Sequence, residues 1–251
     1  MAQIDLTIRK PANGAVFVRP KNAPHPIEFE GRAAISPELA GVQLYFRWYS
    51  SLRLLSKDAQ GKLSQFSLNP SGFSDAATRF SAELPMGSHA IVFAASDRSS
   101  EADLVSSQQG GVIGGVNKEG IGHVIHILKA NILWPADTPS VVAVSPGEAF
   151  MAEAPWAWAD TEGYQKYNKI GYRWLFEPVP PVDNRPVLDF DLPSMAFHKA
   201  TTSSPNNVLA FTPPRLPANA KGRYTLTLEV RCLNAPQTGP IATDQRSLNL
   251  I

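Results

Sequence analysis

The sequence predicts an all-β protein, folded as two antiparallel β-sandwiches in tandem, and three observations predict it. The 22 prolines and 17 glycines are spread along the whole chain. Short runs rich in β-branched and aromatic residues lie between them, and long amphipathic helical windows are hard to find. Short motifs recur in the same order in the two halves, the signature of a duplicated unit. Finally, 251 residues is the size of two domains of about 100–150 residues each, either of which can hide roughly two-thirds of its unfolded surface.

The repeated segments, taken in order, are four. Gly14-Ala15-Val16-Phe17, shortly after Pro11, is answered by Gly147-Glu148-Ala149-Phe150 after Pro146. Pro26-Ile27-Glu28-Phe29-Glu30 is answered by Pro155-Trp156-Ala157-Trp158-Ala159. Tyr45-Phe46-Arg47-Trp48 is answered by Tyr172-Arg173-Trp174. Phe80 and Leu84-Pro85, followed by Gly87-Ser88-His89-Ala90-Ile91-Val92-Phe93, are answered by Phe211 and Leu216-Pro217, followed by Gly222-Arg223-Tyr224-Thr225-Leu226-Thr227-Leu228. Any one match is short; four in the same order define a repeat, with the differences in spacing absorbed by loops. The last pair has strand periodicity. His89, Ile91 and Phe93 share one face, as do Tyr224, Leu226 and Leu228. Gly87 and Gly222 follow Leu-Pro turns, where glycine tolerates a positive φ.

A lone Trp in Tyr45-Phe46-Arg47-Trp48-Tyr49-Ser50-Ser51, then Leu84-Pro85-Met86-Gly87-Ser88-His89, then Ala94-Ala95-Ser96-Asp97 resembles the pattern of bacterial immunoglobulin-like, fibronectin type III-like and PKD-like domains. The second copy diverges: Tyr224 stands in place of the His, and Glu229-Val230-Arg231 in place of the Asp-containing end. The resemblance implies two tandem immunoglobulin-like antiparallel β-sandwiches, with Trp48 and Trp174 as core anchors between the sheets. It specifies a fold and not an activity.

The first domain is expected over residues 1–134, with a last strand around His123–Leu128. A stiff Pro-containing linker is expected over 135–139, and the second domain over 140–251. Two connections are long, Ser99–Gly122 and Glu177–Pro205. Long connections in compact domains are often functional, and in a sandwich they gather at its ends.

Composition narrows the function classes. The charged fraction is 18%, the apolar fraction 43% and the net charge +1, which is ordinary for a globular protein. Basic residues are not clustered, so nucleic acid is not the expected partner. Cys232 is the single cysteine, so no disulfide forms within the chain. The N-terminal Met1-Ala2-Gln3-Ile4-Asp5-Leu6 does not read as a signal peptide, and no apolar run reaches the ~20 residues of a membrane span. The default expectation is cytoplasmic, with signal-less export in a phage or secretion particle left open.

Candidate sites are few. Gly110-Gly111-Val112-Ile113-Gly114-Gly115-Val116-Asn117-Lys118-Glu119-Gly120 lacks the Gly-Lys-Ser/Thr of a phosphate loop, because Glu119 follows Lys118. It reads as a hairpin loop, and Gly110, Val112, Ile113, Val116, Asn117, Lys118 and Glu119 become the candidate partner-binding residues. His123 and His126 are three apart in a strand-like run, on opposite faces, which is unsuited to a metal. Asp183, Asp189 and Asp191 are too few for calcium, which takes six to eight oxygens. Trp156 and Trp158, with Trp134, are the candidates for a sugar platform; their match to Ile27 and Phe29 favours core packing instead. There is no Gly-x-Ser-x-Gly elbow and no carboxylate pair placed for glycoside hydrolysis. Cys232, at a strand end, reads as structural. The expectation is therefore no catalytic residue, no cofactor and no metal. The chain is expected to bind a protein partner or itself, or to build an assembly, through sandwich-end loops or open edge strands. A carbohydrate-binding module and an unrecognised hydrolase are the alternatives.

Overall fold

A computed structural model describes residues 4–35, 44–49, 65–66, 76–96, 111–113, 116–118, 121–138, 140–154, 169–179, 184–192, 208–213, 217, 219–233 and 238–251. Every regular element among them is a strand. The first repeat contains β1 (Ile4–Lys10), β2 (Val16–Val18), β3 (Ile27–Ile35), β4 (Leu44–Tyr49), β5 (Gln65–Phe66), β6 (Ala76–Ala82), β7 (Gly87–Ser96), β8 (Gly111–Ile113), β9 (Val116–Lys118) and β10 (Ile121–Leu128). The second contains β11 (Ile132–Trp134), β12 (Val142–Val144), β13 (Phe150–Glu153), β14 (Ile170–Pro178), β15 (Leu188–Leu192), β16 (Val208–Phe211), β17 (Gly222–Cys232) and β18 (Ile241–Leu250).

The duplication is written in the strand order. A three-stranded sheet β1-β3-β6 accompanies a five-stranded sheet β2-β10-β7-β4-β5, and the second repeat reproduces both as β11-β13-β16 and β12-β18-β17-β14-β15. In immunoglobulin lettering these are A-B-E and A′-G-F-C-C′, with the first strand divided between the two sheets. The division has the same form in each repeat. β2 runs parallel to β10, with Val16 opposite His126, and β12 runs parallel to β18, with Val142 opposite Leu248. The other pairings with a described register are antiparallel, as expected for a sandwich. The chain is thus a pair of tandem immunoglobulin-like β-sandwiches. Trp134, at which the sequence reading ends the first domain, lies in β11 and pairs with Met151 of β13.

Two of the four sequence matches are structural equivalences. Trp48 and Trp174 occupy β4 and β14, and Gly87 and Gly222 open β7 and β17 with φ of +147° and +115°. The other two are displaced. Phe29 faces Phe80 in register and Phe150 faces Phe211, so Phe150 is the counterpart of Phe29. The matched Trp156 and Trp158 lie outside the described residues. Gly14 (φ +78°) and Gly147 (φ +85°) close similar turns, Ala15 N–H to Ala12 O at 3.1 Å and Glu148 N–H to Ser145 O at 3.2 Å. The Gly14 turn precedes β2, whereas the Gly147 turn follows β12. The same turn chemistry at different points of the strand order produced the false match.

Each core is organised around its tryptophan. Trp48 is fully buried, stacked on Phe93 at 4.5 Å and met edge-on by Phe29 at 5.7 Å. These contacts join β3 of one sheet to β4 and β7 of the other. Gly31 is needed at this crossing, because a Cβ there would stand 2.6 Å from Trp48 Cζ2 and 2.7 Å from Phe93 Cε1. Trp174 is likewise buried, stacked on Phe211 at 5.9 Å and beside Phe150 at 6.0 Å. Phe150 meets Phe176 edge-on at 5.1 Å. The expected alternation holds: His89, Ile91 and Phe93 are buried, as are Tyr224, Leu226 and Leu228.

The chain packs into two compact units. One comprises Met1–Ala15, Pro26–Leu84 and His89–Ile125; the other comprises Val16–His25, Pro85–Ser88 and His126–Ile251. Within the second unit, Met86, Leu128 and Ala130 join the core that contains Tyr172 and Trp174. Tyr172 donates its hydroxyl to Glu153 O at 3.0 Å and approaches Met86 Sδ at 3.8 Å.

Candidate functional site

The predicted hairpin forms. β8 and β9 pair antiparallel, Gly111 with Lys118, Val112 with Asn117 and Ile113 with Val116. In the sequence Gly114-Gly115 separates them, a pair that suits a tight hairpin. The hairpin is a two-stranded sheet of its own. It lies in the connection between β7 and β10, the F–G connection; in the second repeat residues 233–240 separate β17 from β18. Of the candidate partner-binding residues, Val112, Ile113, Val116, Asn117 and Lys118 fall in these two strands, while Gly110 and Glu119 lie outside the described residues.

Strand edges are a second resource. The five-stranded sheets end at β5 and β15, each paired on one side among the described residues. The outward face beside β15 carries a charge ladder. Arg173 donates through Nε to Asp189 Oδ1 at 2.9 Å and through a terminal nitrogen to Asp189 Oδ2 at 2.7 Å, and it also reaches Glu229 at 3.2 Å. This fork holds the Asp189 carboxyl below its ordinary pKa. Arg231 pairs with Asp191. Asp189 and Asp191 are therefore partners of arginines on neighbouring strands. Asp183 lies outside the described residues.

The histidines part as their spacing predicted. His123 Nδ1 lies 2.8 Å from Pro11 O, whereas His126 Nδ1 lies 2.9 Å from Ser88 Oγ. No group of three or more metal-ligating side chains occurs among the described residues. Trp134 is partly buried and meets Phe150 edge-on at 6.2 Å, so it is a core-margin residue. Cys232 is buried at the end of β17.

Two polar clusters escaped the sequence reading because their members are far apart in the chain. One is the Ser88–His126 contact, joined by the Lys169 N–H, which donates to Ser88 Oγ at 3.2 Å. Ser88 and His126 are both buried, unlike a nucleophile and base that must meet a substrate. The other centres on Asp244 and Arg246 of β18. Asp244 accepts from Ile132 N–H at 2.8 Å, from Arg246 at 2.9 Å and from Lys21 at 3.3 Å. Arg246 also donates to Ile132 O at 2.8 Å. Lys21 reaches Asp137 at 2.9 Å, and this bond holds the Asp137 carboxyl below its usual range.

No protein-family model and no curated protein matches the sequence. Among solved structures, the chain is similar to three N-terminal domains of the bacteriophage RB49 highly immunogenic outer capsid protein, Hoc. The identity is 10%, covering 99% of this chain and 70% of that one, with a TM-score of 0.36. It is similar to the FN1–FN3 domains of chicken CNTN1, at 9% identity over 98% of this chain and 65% of that one, TM-score 0.35. It is also similar to DIP-gamma IG1+IG2, at 11% identity over 98% and 97%, TM-score 0.27. The immunoglobulin-like class rests on the strand order of the chain itself. No helix among the described residues is long and apolar enough to cross a membrane.

Proposed function

We propose that the chain is a non-enzymatic module that binds another protein or builds an assembly, with the β8–β9 insertion as its main contact and the open strand edges as a second. The asymmetry of the duplication carries this reading. The F–G connection holds an additional hairpin in the first repeat and none among the described residues of the second. In variable immunoglobulin domains the F–G connection is a contact loop, and long loops of this kind insert into concave partner surfaces. Among the described residues the hairpin pairs with no further strand; such a hairpin is marginal in water, and a partner that adds a strand or covers it would stabilise it. Gly110, Val112, Ile113, Val116, Asn117, Lys118 and Glu119 are the residues assigned to this contact.

The test is affinity capture from the native source, followed by a binding titration of the captured protein. The full chain is compared with a variant in which residues 110–120 are replaced by Gly-Gly. Loss of affinity of about 100-fold, roughly 2.7 kcal/mol, with thermal unfolding unchanged, is the expected result. Undiminished affinity removes the hairpin from the site. Saturable glycan binding abolished by Trp156→Ala would replace this reading with a sugar-binding one.

A further inference from the structure

The cluster of buried Ser88 and His126 with the half-buried Lys169 takes no part in the function proposed above. Ser88 is the second residue of β7, two positions after Met86, His126 lies in β10, and Lys169 immediately precedes β14. All three belong to the second compact unit. His126 Nδ1 is 2.9 Å from Ser88 Oγ, and Ser88 Oγ accepts the Lys169 N–H at 3.2 Å. His126 is 5% exposed and Ser88 3%. The neighbouring Met86 is equally enclosed and sits against the Tyr172 hydroxyl at 3.8 Å. The Pro85–Ser88 segment thus meets the start of β14 through a sulfur contact and a serine bridge among its contacts.

We infer that His126 is an acid-sensitive latch, which when neutral holds Ser88, and with it the Pro85–Ser88 turn, against Lys169, and when protonated releases them. In the neutral tautomer that carries its proton on Nε2, Nδ1 accepts the serine proton while the serine oxygen accepts from the Lys169 backbone N–H. Protonation turns Nδ1 into a donor, so the serine hydroxyl must turn its own proton away from the ring, and it places a buried positive charge near the lysine, which is what weakens the seat. Among the described residues, the influences on the ring are its burial and the Lys169 charge, and both disfavour the protonated form. From β7 comes Ser88, and β2 presents Val16 in register. On β10, His123 points to Pro11 O, and the Lys129 that follows is bound to Glu153 at 2.7 Å. Burial first, and then the charge of Lys169, hold the His126 pKa below the ordinary 6.5. Because the folded-state pKa is depressed, the latch is intact above about pH 6.5 and is lost as the pH falls through the folded-state value.

Hydrogen exchange of the full chain, corrected for intrinsic rates, tests this at about pH 7.5 and about pH 5. In the native sequence, protection of residues 86–88 and 169–172 falls about tenfold on acidification. In His126→Gln that fall is absent, and in Lys169→Gln its midpoint moves to higher pH. Equal loss in native and His126→Gln proteins, or no loss in the native protein, overturns the latch. Should His126→Gln fail to fold, two measurements decide. The Lys169→Gln midpoint must move upward, and NMR titration of the His126 ring in the native protein must give a value below 6.5. A stationary midpoint, or a ring titrating at 6.5 or above, overturns the inference.

Discussion

Trp48 and Trp174 each hold two sheets together through contacts with phenylalanines on neighbouring strands. Replacing either with Ala should cost about 3–5 kcal/mol, read as a lower urea midpoint for the affected sandwich. Gly31→Ala should cost about 1–3 kcal/mol, because its Cβ would collide with the Trp48 and Phe93 rings. Asp244→Ala should be comparably severe, about 3–5 kcal/mol. It would leave the guanidinium of Arg246, whose side chain is 5% exposed, without its acid on β18. The two tryptophans were legible in the sequence, since each stands in a strand-like run that recurs. Phe150 was not recognised as the partner of Trp174, because a similar Gly-x-x-Phe string occurs at Phe17 and only non-local pairing separates the two. Asp244 and Arg246 look like ordinary solvated charges until Ile132 and Lys21 are brought to them from more than a hundred residues away.

At the scale of elements, legibility follows locality. β7 and β17 are marked by their own two-residue period, and the β8–β9 hairpin by its own Gly-Gly. β2 and β12 have three residues each and exist as strands through parallel pairing with distant β10 and β18, so no local pattern announces them. The Arg173 ladder beside β15 is half-exposed, so its contribution is small. Asp189→Asn should change stability by no more than about 1 kcal/mol at neutral pH. The carboxyl pKa is lowered by Arg173. That increment is therefore present above the ordinary aspartate value and vanishes as the pH falls through the lowered one. Urea midpoints of native and Asp189→Asn proteins should converge in acid, and a constant gap across the titration would contradict the assignment.

On the scale of the whole chain, duplication was readable from recurring motifs, and the strand order shows it more cleanly than the motifs do. The order also shows where the repeats parted, in the F–G connection. If open edges such as β15 also join copies of the chain, sedimentation velocity should show the coefficient rising with concentration; a fixed monomer value confines recognition to other proteins. Immunoglobulin domains of antibodies brace their two layers with a cystine beside the tryptophan. In the first repeat Phe29 of β3 and Phe93 of β7 flank Trp48 from the corresponding strands, and the lone thiol, Cys232, is buried at a strand end. Reductant should therefore leave the melting temperature unchanged. The vulnerability moves from sulfur chemistry to the indoles, so that photo-oxidation, and not loss of an oxidising milieu, is the insult this architecture is least equipped to survive.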